Sequence, residues 1–322
     1  MHTHKEIIEA RIVAWCAALP QNGLYEPMAY LMKLPAKRVR PMATLMACEL
    51  FGGTIEDALD EALGMELFHN FTLMHDDIMD ASPLRRGDPT VHVKWNVNTA
   101  ILSGDALLVK AYTLMGRDAR ACTGPRPGVL ALFNRHALEV CEGQQLDMDY
   151  EQRASVSTAE YMEMIRLKTA VLLACALKIG ATIGGASDND VERIGRFGEQ
   201  LGLAFQLRDD LLDAFGDPAS TGKQRGGDLR AGKKTWLLIR SLEQAKASSD
   251  NALTEELARP AADRNLMRMI SAVESLGVRN EAEELVRKLE LAAMDELGSI
   301  HVANERTLPL RALAERLMGR DH

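Results

Sequence analysis

A chain of 322 residues that is 47% hydrophobic can bury a large core, and its formal net charge of -8 argues against a general nucleic-acid binder. Aromatics make up only 5%, and Ala, Leu and Met are favoured over Val, Ile, Thr and Tyr, which points to helix and away from sheet. Five cysteines (Cys16, Cys48, Cys122, Cys141, Cys175) lack CxxC or CxH spacing, so neither a zinc site nor a disulfide framework is expected. The opening stretch MHTHKEIIEARIVAWC has no basic segment followed by an uninterrupted apolar one, so no signal peptide is expected and the cytoplasm is the default location.

Apolar positions Ile8, Ile12, Trp15 and Leu19 recur at helical spacing up to Pro20 and predict an amphipathic helix over 5–19, used for packing or a subunit contact. Lys37, Arg38 and Arg40 then lie between Pro35 and Pro41 at the start of an apolar helix. Basic side chains and free backbone N–H groups together make an anion site there, although a solvated basic loop would read the same way. The stretch from Thr54 to Met79 reads as two helices, with His69 two turns before Asp76 on a similar face.

Asp76, Asp77 and Asp80 follow at i, i+1 and i+4, so on a helix two stack one turn apart and the third flanks them. Such carboxylates repel one another and need cations. Oxygen ligands on a rigid helix suit a hard ion such as Mg²⁺, which keeps several waters and completes its shell with substrate phosphate. Arg85 and Arg86, in SPLRRGDP, add two guanidinium forks that fit phosphate oxygens.

Trp95 to Met115 is strongly apolar, with Ser103 and Gly104 small enough for close helix packing, and CTGPRPG at 122–128 is a loop. No proline occurs between Gly128 and Asp217, which predicts long helices carrying Gly143, Gln144 and Asp147 of GQQLDMDYE and then Lys168-Thr169 at the opening of an apolar helix. That helix is interrupted by Lys178 and ends in glycines, so it belongs to a core and does not span a membrane. In AFQLRDDLLDAFGD the acidic spacing returns at Asp209, Asp210 and Asp213. One cluster alone is more often a solvated face; two favour a clamp on a polyanion through several metal ions. Residues 216–236 form a Gly- and Lys-rich loop without Walker spacing, and 237–322 shows helical periodicity broken near 247–252 and 259–265, with a packing role.

HDDIMD with LRRG behind it, QLRDDLLD further on and KRVRP upstream resemble the all-trans polyprenyl diphosphate synthases, from about Lys37 to about Thr235. The resemblance implies an all-α fold of isoprenoid synthase type: one domain over residues 1–322, a large helical bundle around a deep central cavity, forming a homodimer. It implies a prenyltransferase that joins isopentenyl diphosphate to an allylic diphosphate, with three Mg²⁺ per active site on Asp76, Asp77, Asp80, Asp209, Asp210 and Asp213. In the family, residues matching Lys37 and Arg40 hold the diphosphate of isopentenyl diphosphate, joined by His69 and Arg86. Arg85, Lys168 and, from a mobile flap, Lys223 and Lys233 balance the allylic diphosphate. Thr169 and Gln206 face the reacting carbon, Gln144 and Asp147 brace metal-bound waters, and His75 gives a supporting hydrogen bond. Pro35-Ala36 departs from the family, which usually shows two glycines there.

Phe71, an aromatic five residues before the first aspartate, resembles the geranylgeranyl-forming type, with Thr72 and Phe68 as further determinants of chain length. A twenty-carbon product is expected, with fifteen carbons or a longer chain as alternatives. No nucleic acid and no stable membrane insertion are expected. A non-catalytic subunit of a heteromeric synthase would have lost a triad or the phosphate-gripping bases. A metal-dependent phosphohydrolase would need histidine companions for His75 that His92, His136 and His301 do not supply, and a terpene cyclase would not need Lys37, Arg40 and the second triad.

Overall fold

The computed structural model describes residues 3–116, 128–216 and 226–319, so Cys122, most of CTGPRPG and Lys223 lie outside the described residues. Regular structure is helical throughout, apart from one two-residue hairpin among the described residues. The chain divides into two compact units: Met1–Asn134 with Cys175–Glu192 and His301–Leu310, and Arg135–Ala174 with Arg193–Ile300 and Arg311–His322.

In the first unit, α1 (His4–Ala17) starts in a capping box in which the Thr3 N–H donates to Glu6 (2.7 Å) and the Glu6 N–H to Thr3 Oγ1 (3.3 Å). Next come α2 (Glu26–Lys33), α3 (Val39–Leu50) and α4 (Ile55–Met79). The two helices expected between Thr54 and Met79 are one helix of 25 residues. Gly64 does not break it. A glycine costs a helix interior about 1 kcal/mol, but here it lets another helix approach, since a Cβ at Gly64 would lie 3.0 Å from Met115 Cε and 3.3 Å from Leu114 Cβ. That other helix is α6 (Val97–Met115), which with α3 packs along α4, over a core that includes Leu45, Leu63, Met65 and Leu107.

Between α4 and α6 sit the hairpin strands β1 (Leu84–Arg85) and β2 (Asp88–Pro89), paired antiparallel as Leu84 with Pro89 and Arg85 with Asp88, and the one-turn helix α5 (Val91–Lys94). Its two-residue loop needs positive φ at both positions, and Arg86 (57°) and Gly87 (89°) take it. The Tyr30 hydroxyl fastens the hairpin by donating to the Pro89 carbonyl at 2.7 Å.

The second unit holds most of α7 (Val129–Gln152), then α8 (Thr158–Ile165), the start of α9 (Val171–Ile183) and most of α10 (Asp188–Phe215). Its core gathers Ile165, Leu203, Leu207, Trp236, Leu238, Ile270 and Val286. Lys168 and Thr169 do not open α9, as the sequence suggested; they lie in a π-helical turn, Arg166–Ala170, that precedes it. The described residues of the Gly- and Lys-rich loop include a short helix, Gly227–Ala231, and the C-terminal breaks fall at Ser249 (φ 59°) and around 258–265.

Candidate functional site

At the C-terminal end of α4 the first triad separates into two roles. Asp76 and Asp80 stand one turn apart, Asp76 half-buried and Asp80 exposed, while Asp77 is 1% exposed. Arg85 explains the difference: its Nε donates to both Asp77 oxygens (3.0 and 3.2 Å) and its Nη2 donates to Asp77 Oδ1, while that nitrogen lies 3.8 Å from Asp76 Oδ2. Burial pushes the Asp77 carboxyl up, against the hydrogen bonds and charge of Arg85, which pull it down. Asp77 thus anchors the arginine hairpin through its carboxylate.

Beside it lies a patch of positive charge. Arg38, in the left-handed region at φ 52° just before α3, is buried and fully engaged. Its nitrogens donate to Glu9 (2.9 Å), Glu66 (2.6 Å) and the Met32 carbonyl (2.6 Å), and Asn70 adds a bond to Glu66 at 3.1 Å. Arg40 reaches His69 Nε2 at 3.2 Å. Burial, then the charges of Arg40, Arg86, Arg85 and Arg38, hold the His69 pKa well below the ordinary value, so this ring is neutral. Burial also lowers Arg40 to about 10 against the pull of Glu66. Lys37 and Arg86 are exposed at the edge. Clustered cations around a neutral imidazole are suited to an anion of high charge, such as a diphosphate.

His75 makes its expected supporting bond, Nε2 to the Ile101 carbonyl at 3.1 Å, and its ring fills the space at Gly104, where a Cβ would come within 2.2 Å. Phe71 touches both His75 (centroids 4.9 Å) and Phe68 (5.5 Å), and Phe68 stacks edge-on against Phe133 (5.1 Å). Phe68 is 1% exposed and so stands behind Phe71 as its backing. The Thr72 hydroxyl is turned to the His69 carbonyl at 2.8 Å.

In the second unit, α7 and the π-turn meet at Gly143. A Cβ there would lie 2.2 Å from the backbone nitrogen of Lys168, a contact only glycine permits. One turn on, Asp147 accepts from Lys168 Nζ at 2.6 Å. Asp147 thus holds the Lys168 ammonium, and Gln144 lies beside Gly143 on the same helix. Thr169 donates to Gln206 Oε1 on α10 at 3.4 Å.

The second triad is divided as the first is. Asp209 and Asp213 are half-buried, whereas Asp210 is 5% exposed and accepts from Tyr161 Oη at 2.6 Å and from Gln206 Nε2 at 3.4 Å. Burial lifts the Asp210 carboxyl to about 7, against those two hydrogen bonds. Asp213 also caps the chain re-entering at 226, accepting from the Asp228 N–H at 3.0 Å. Desolvation works against the Lys233 ammonium, but Asp228, Asp147 and Asp210 more than offset it and hold its pKa above the ordinary lysine value.

Among the described residues, no three His, Cys, Asp or Glu side chains form a ready-made metal cage. Magnesium does not require one, since it is bound through one or two carboxylates, with water and substrate phosphate as its other ligands. In the first unit the pair Asp76/Asp80, and in the second the pair Asp209/Asp213, each offers an all-oxygen donor set that fits this ion. Sequence reasoning overlooked Tyr161 and Glu66, and it placed Arg38 in the basic cluster without its buried partners. Neither Tyr161 nor Glu66 carried a signal, since both sit in ordinary helical patterns.

Residues 21–273 match the polyprenyl synthetase family. A geranylgeranyl diphosphate synthase of Sulfolobus acidocaldarius is 37% identical over 294 residues, covering 90% of this chain and 88% of that one. A crystal structure of a geranylgeranyl pyrophosphate synthase superposes with a TM-score of 0.91 at 40% identity and covers 100% of both chains. A geranylgeranyl pyrophosphate synthase from Corynebacterium glutamicum, solved with isoprenyl diphosphate and magnesium, superposes with a TM-score of 0.85 at 28% identity over 98% of each. With the family match spanning residues 21–273 and these relatives covering nearly the whole chain, the chain belongs to the polyprenyl synthetase family.

Proposed function

We propose that the protein condenses isopentenyl diphosphate with an allylic diphosphate in a Mg²⁺-dependent prenyl transfer, giving a twenty-carbon all-trans prenyl diphosphate. The observation that carries this reading is the repeated acidic design. In each triad the middle carboxylate is tied inward, by Arg85 or by Tyr161, and an i, i+4 pair remains at exposed or half-buried positions. Asp76, Asp80 and Asp209 would hold the magnesium, three ions per site, with Asp213 beside them; when bound, the ions draw charge from the allylic diphosphate and weaken its carbon–oxygen bond. That a Corynebacterium relative was solved with magnesium and isoprenyl diphosphate supports the use of magnesium here.

Arg85, Lys168 and Lys233, with Lys223 of the segment outside the described residues, offset the charge of the leaving diphosphate. Lys37, Arg40, His69 and Arg86 hold isopentenyl diphosphate, whose double bond attacks the electron-poor carbon. Thr169 and Gln206 face that carbon with neutral oxygens, which stabilise positive charge without capturing it as a carboxylate would. The released diphosphate takes the final proton, so no side-chain nucleophile is required.

Phe71, backed by Phe68 and Phe133, sets the floor of the prenyl channel one turn from Asp76, with Thr72 beside it. The two units serve one synthase domain over residues 1–322; their segments interleave along the chain, and a relative covers its full length. A homodimer is supported by apolar side chains exposed along α6, Val97, Ile101, Leu102, Val109 and Tyr112, a face that a second copy would cover. No helix among the described residues is long and apolar enough to cross a membrane, and a cytoplasmic place of action fits water-soluble diphosphate substrates. Incubation of the purified protein with Mg²⁺, labelled isopentenyl diphosphate and each allylic diphosphate in turn should give a twenty-carbon product. Failure to elongate any starter would overturn the proposal and favour a non-catalytic subunit.

A further inference from the structure

The second triad's middle residue is bonded on both sides. Tyr161, 4% exposed on α8, donates its hydroxyl to Asp210 Oδ2 at 2.6 Å, and Gln206, one turn before Asp210 on α10, donates its amide N–H to Oδ1 at 3.4 Å. Gln206 Oε1 in turn accepts the Thr169 hydroxyl at 3.4 Å. All four side chains lie in the second unit.

The direction of this chain follows from what each group is able to do. Tyr161 donates to one Asp210 oxygen, and Gln206 presents its N–H₂ to the other and its oxygen to Thr169. Thr169 has a single hydroxyl proton and gives it to that oxygen. The threonine is left with lone pairs alone for any electron-poor carbon bound beside it. A neutral amide at 210 would remove the constraint: Gln206 could then reverse, the threonine proton would be released, and an O–H hydrogen would point where positive charge develops. Tyr161 secures the arrangement by occupying the second carboxylate oxygen, and burial and Asp210 together hold its own pKa well above the ordinary value, so it stays a donor.

We propose that Tyr161 and Asp210 are positioning residues that set the hydrogen-bond polarity of Gln206 and Thr169, and that Asp210 serves the reaction through this chain instead of by ligating metal. The inference rests on the proposed prenyl transfer and deepens it.

The test uses the full-length protein and the variants Tyr161→Phe, Asp210→Asn, Asp209→Asn and Thr169→Val. Tyr161→Phe should lower kcat roughly tenfold or more, with KM for both substrates unchanged, the size expected for a lost group that orients charge stabilisation. In the Thr169→Val background, Tyr161→Phe should have no further effect, because the chain it orients then ends in a methyl group. Mn²⁺ titrated with inorganic diphosphate, followed by electron paramagnetic resonance, should bind Asp210→Asn as it binds wild type and should bind Asp209→Asn more weakly. Weakened Mn²⁺ binding in Asp210→Asn, full additivity of the Tyr161 and Thr169 changes, or an unchanged kcat in Tyr161→Phe would each sink the inference. If Tyr161→Phe fails to fold by circular dichroism, the Asp210→Asn and Thr169→Val pair supplies the same cycle. Wild type that cannot elongate points instead to an error in the underlying prenyl-transfer reading.

Discussion

Replacing Gly143 with alanine tests how tightly Lys168, proposed to offset the leaving diphosphate, is held. The added Cβ would sit 2.2 Å from Lys168 N, 2.6 Å from Leu167 C and 2.7 Å from Lys168 Cα. Unbonded heavy atoms settle at about 3.5 Å, and all three obstacles are backbone, so α7 and the π-turn must part by roughly 1 Å. That movement stretches the 2.6 Å contact of Lys168 with Asp147 and shifts Thr169 with it. Overpacking of this kind costs about 1–3 kcal/mol, and a catalytic group misplaced by about 1 Å loses on the order of 100-fold in rate. A control is Gly184→Ala, whose Cβ would meet the Cys48 carbonyl at 2.4 Å at the end of α9. Melting temperature and steady-state kinetics on both variants should show comparable losses of stability, with kcat falling about 100-fold only in Gly143→Ala. Wild-type kcat in Gly143→Ala, or equal kcat losses in the two, would refute the reasoning.

Other outcomes follow from the same geometry. Asp76→Ala and Asp209→Ala should each reduce turnover by on the order of 10³-fold, since metal assistance supplies several kcal/mol; a variant that keeps its rate removes that aspartate from the site. Phe71→Ala should lengthen the product seen by chromatography, and an unchanged product would place the channel floor elsewhere. For His69 the folded pKa lies well below that of the unfolded chain, so unfolded protein binds the extra proton below about pH 6.5. The stabilisation is therefore present above pH 6.5 and is lost as pH falls towards the folded value, by at most about 1.4 kcal/mol per pH unit. Melting curves of His69→Gln between pH 5 and 8 should be flatter than wild type, and parallel curves would count against it.

The aspartates, the arginine pair and the lysine-threonine pair were legible because each is a local spacing with its own chemistry. Helix existence was legible too, from periodicity and from the proline-free run after Gly128. The single α4 was not: Gly64 looks like any glycine until Leu114 and Met115 are seen against it. Nor was the π-turn at Arg166–Ala170, because no residue type marks it; what the turn depends on is the proximity of Gly143.

The amino-acid order by itself determined that two acidic clusters, a basic helix start and an all-helical fold coexist in one chain, since charge, propensity and spacing are properties of neighbours along the backbone. Only the tertiary structure decided which carboxylates are spent inward. Asp77 and Asp210 look identical to their neighbours in sequence, and their partners, Arg85 and Tyr161, come from other elements. Burial and hydrogen bonding across such distances depend on packing, which no local pattern encodes.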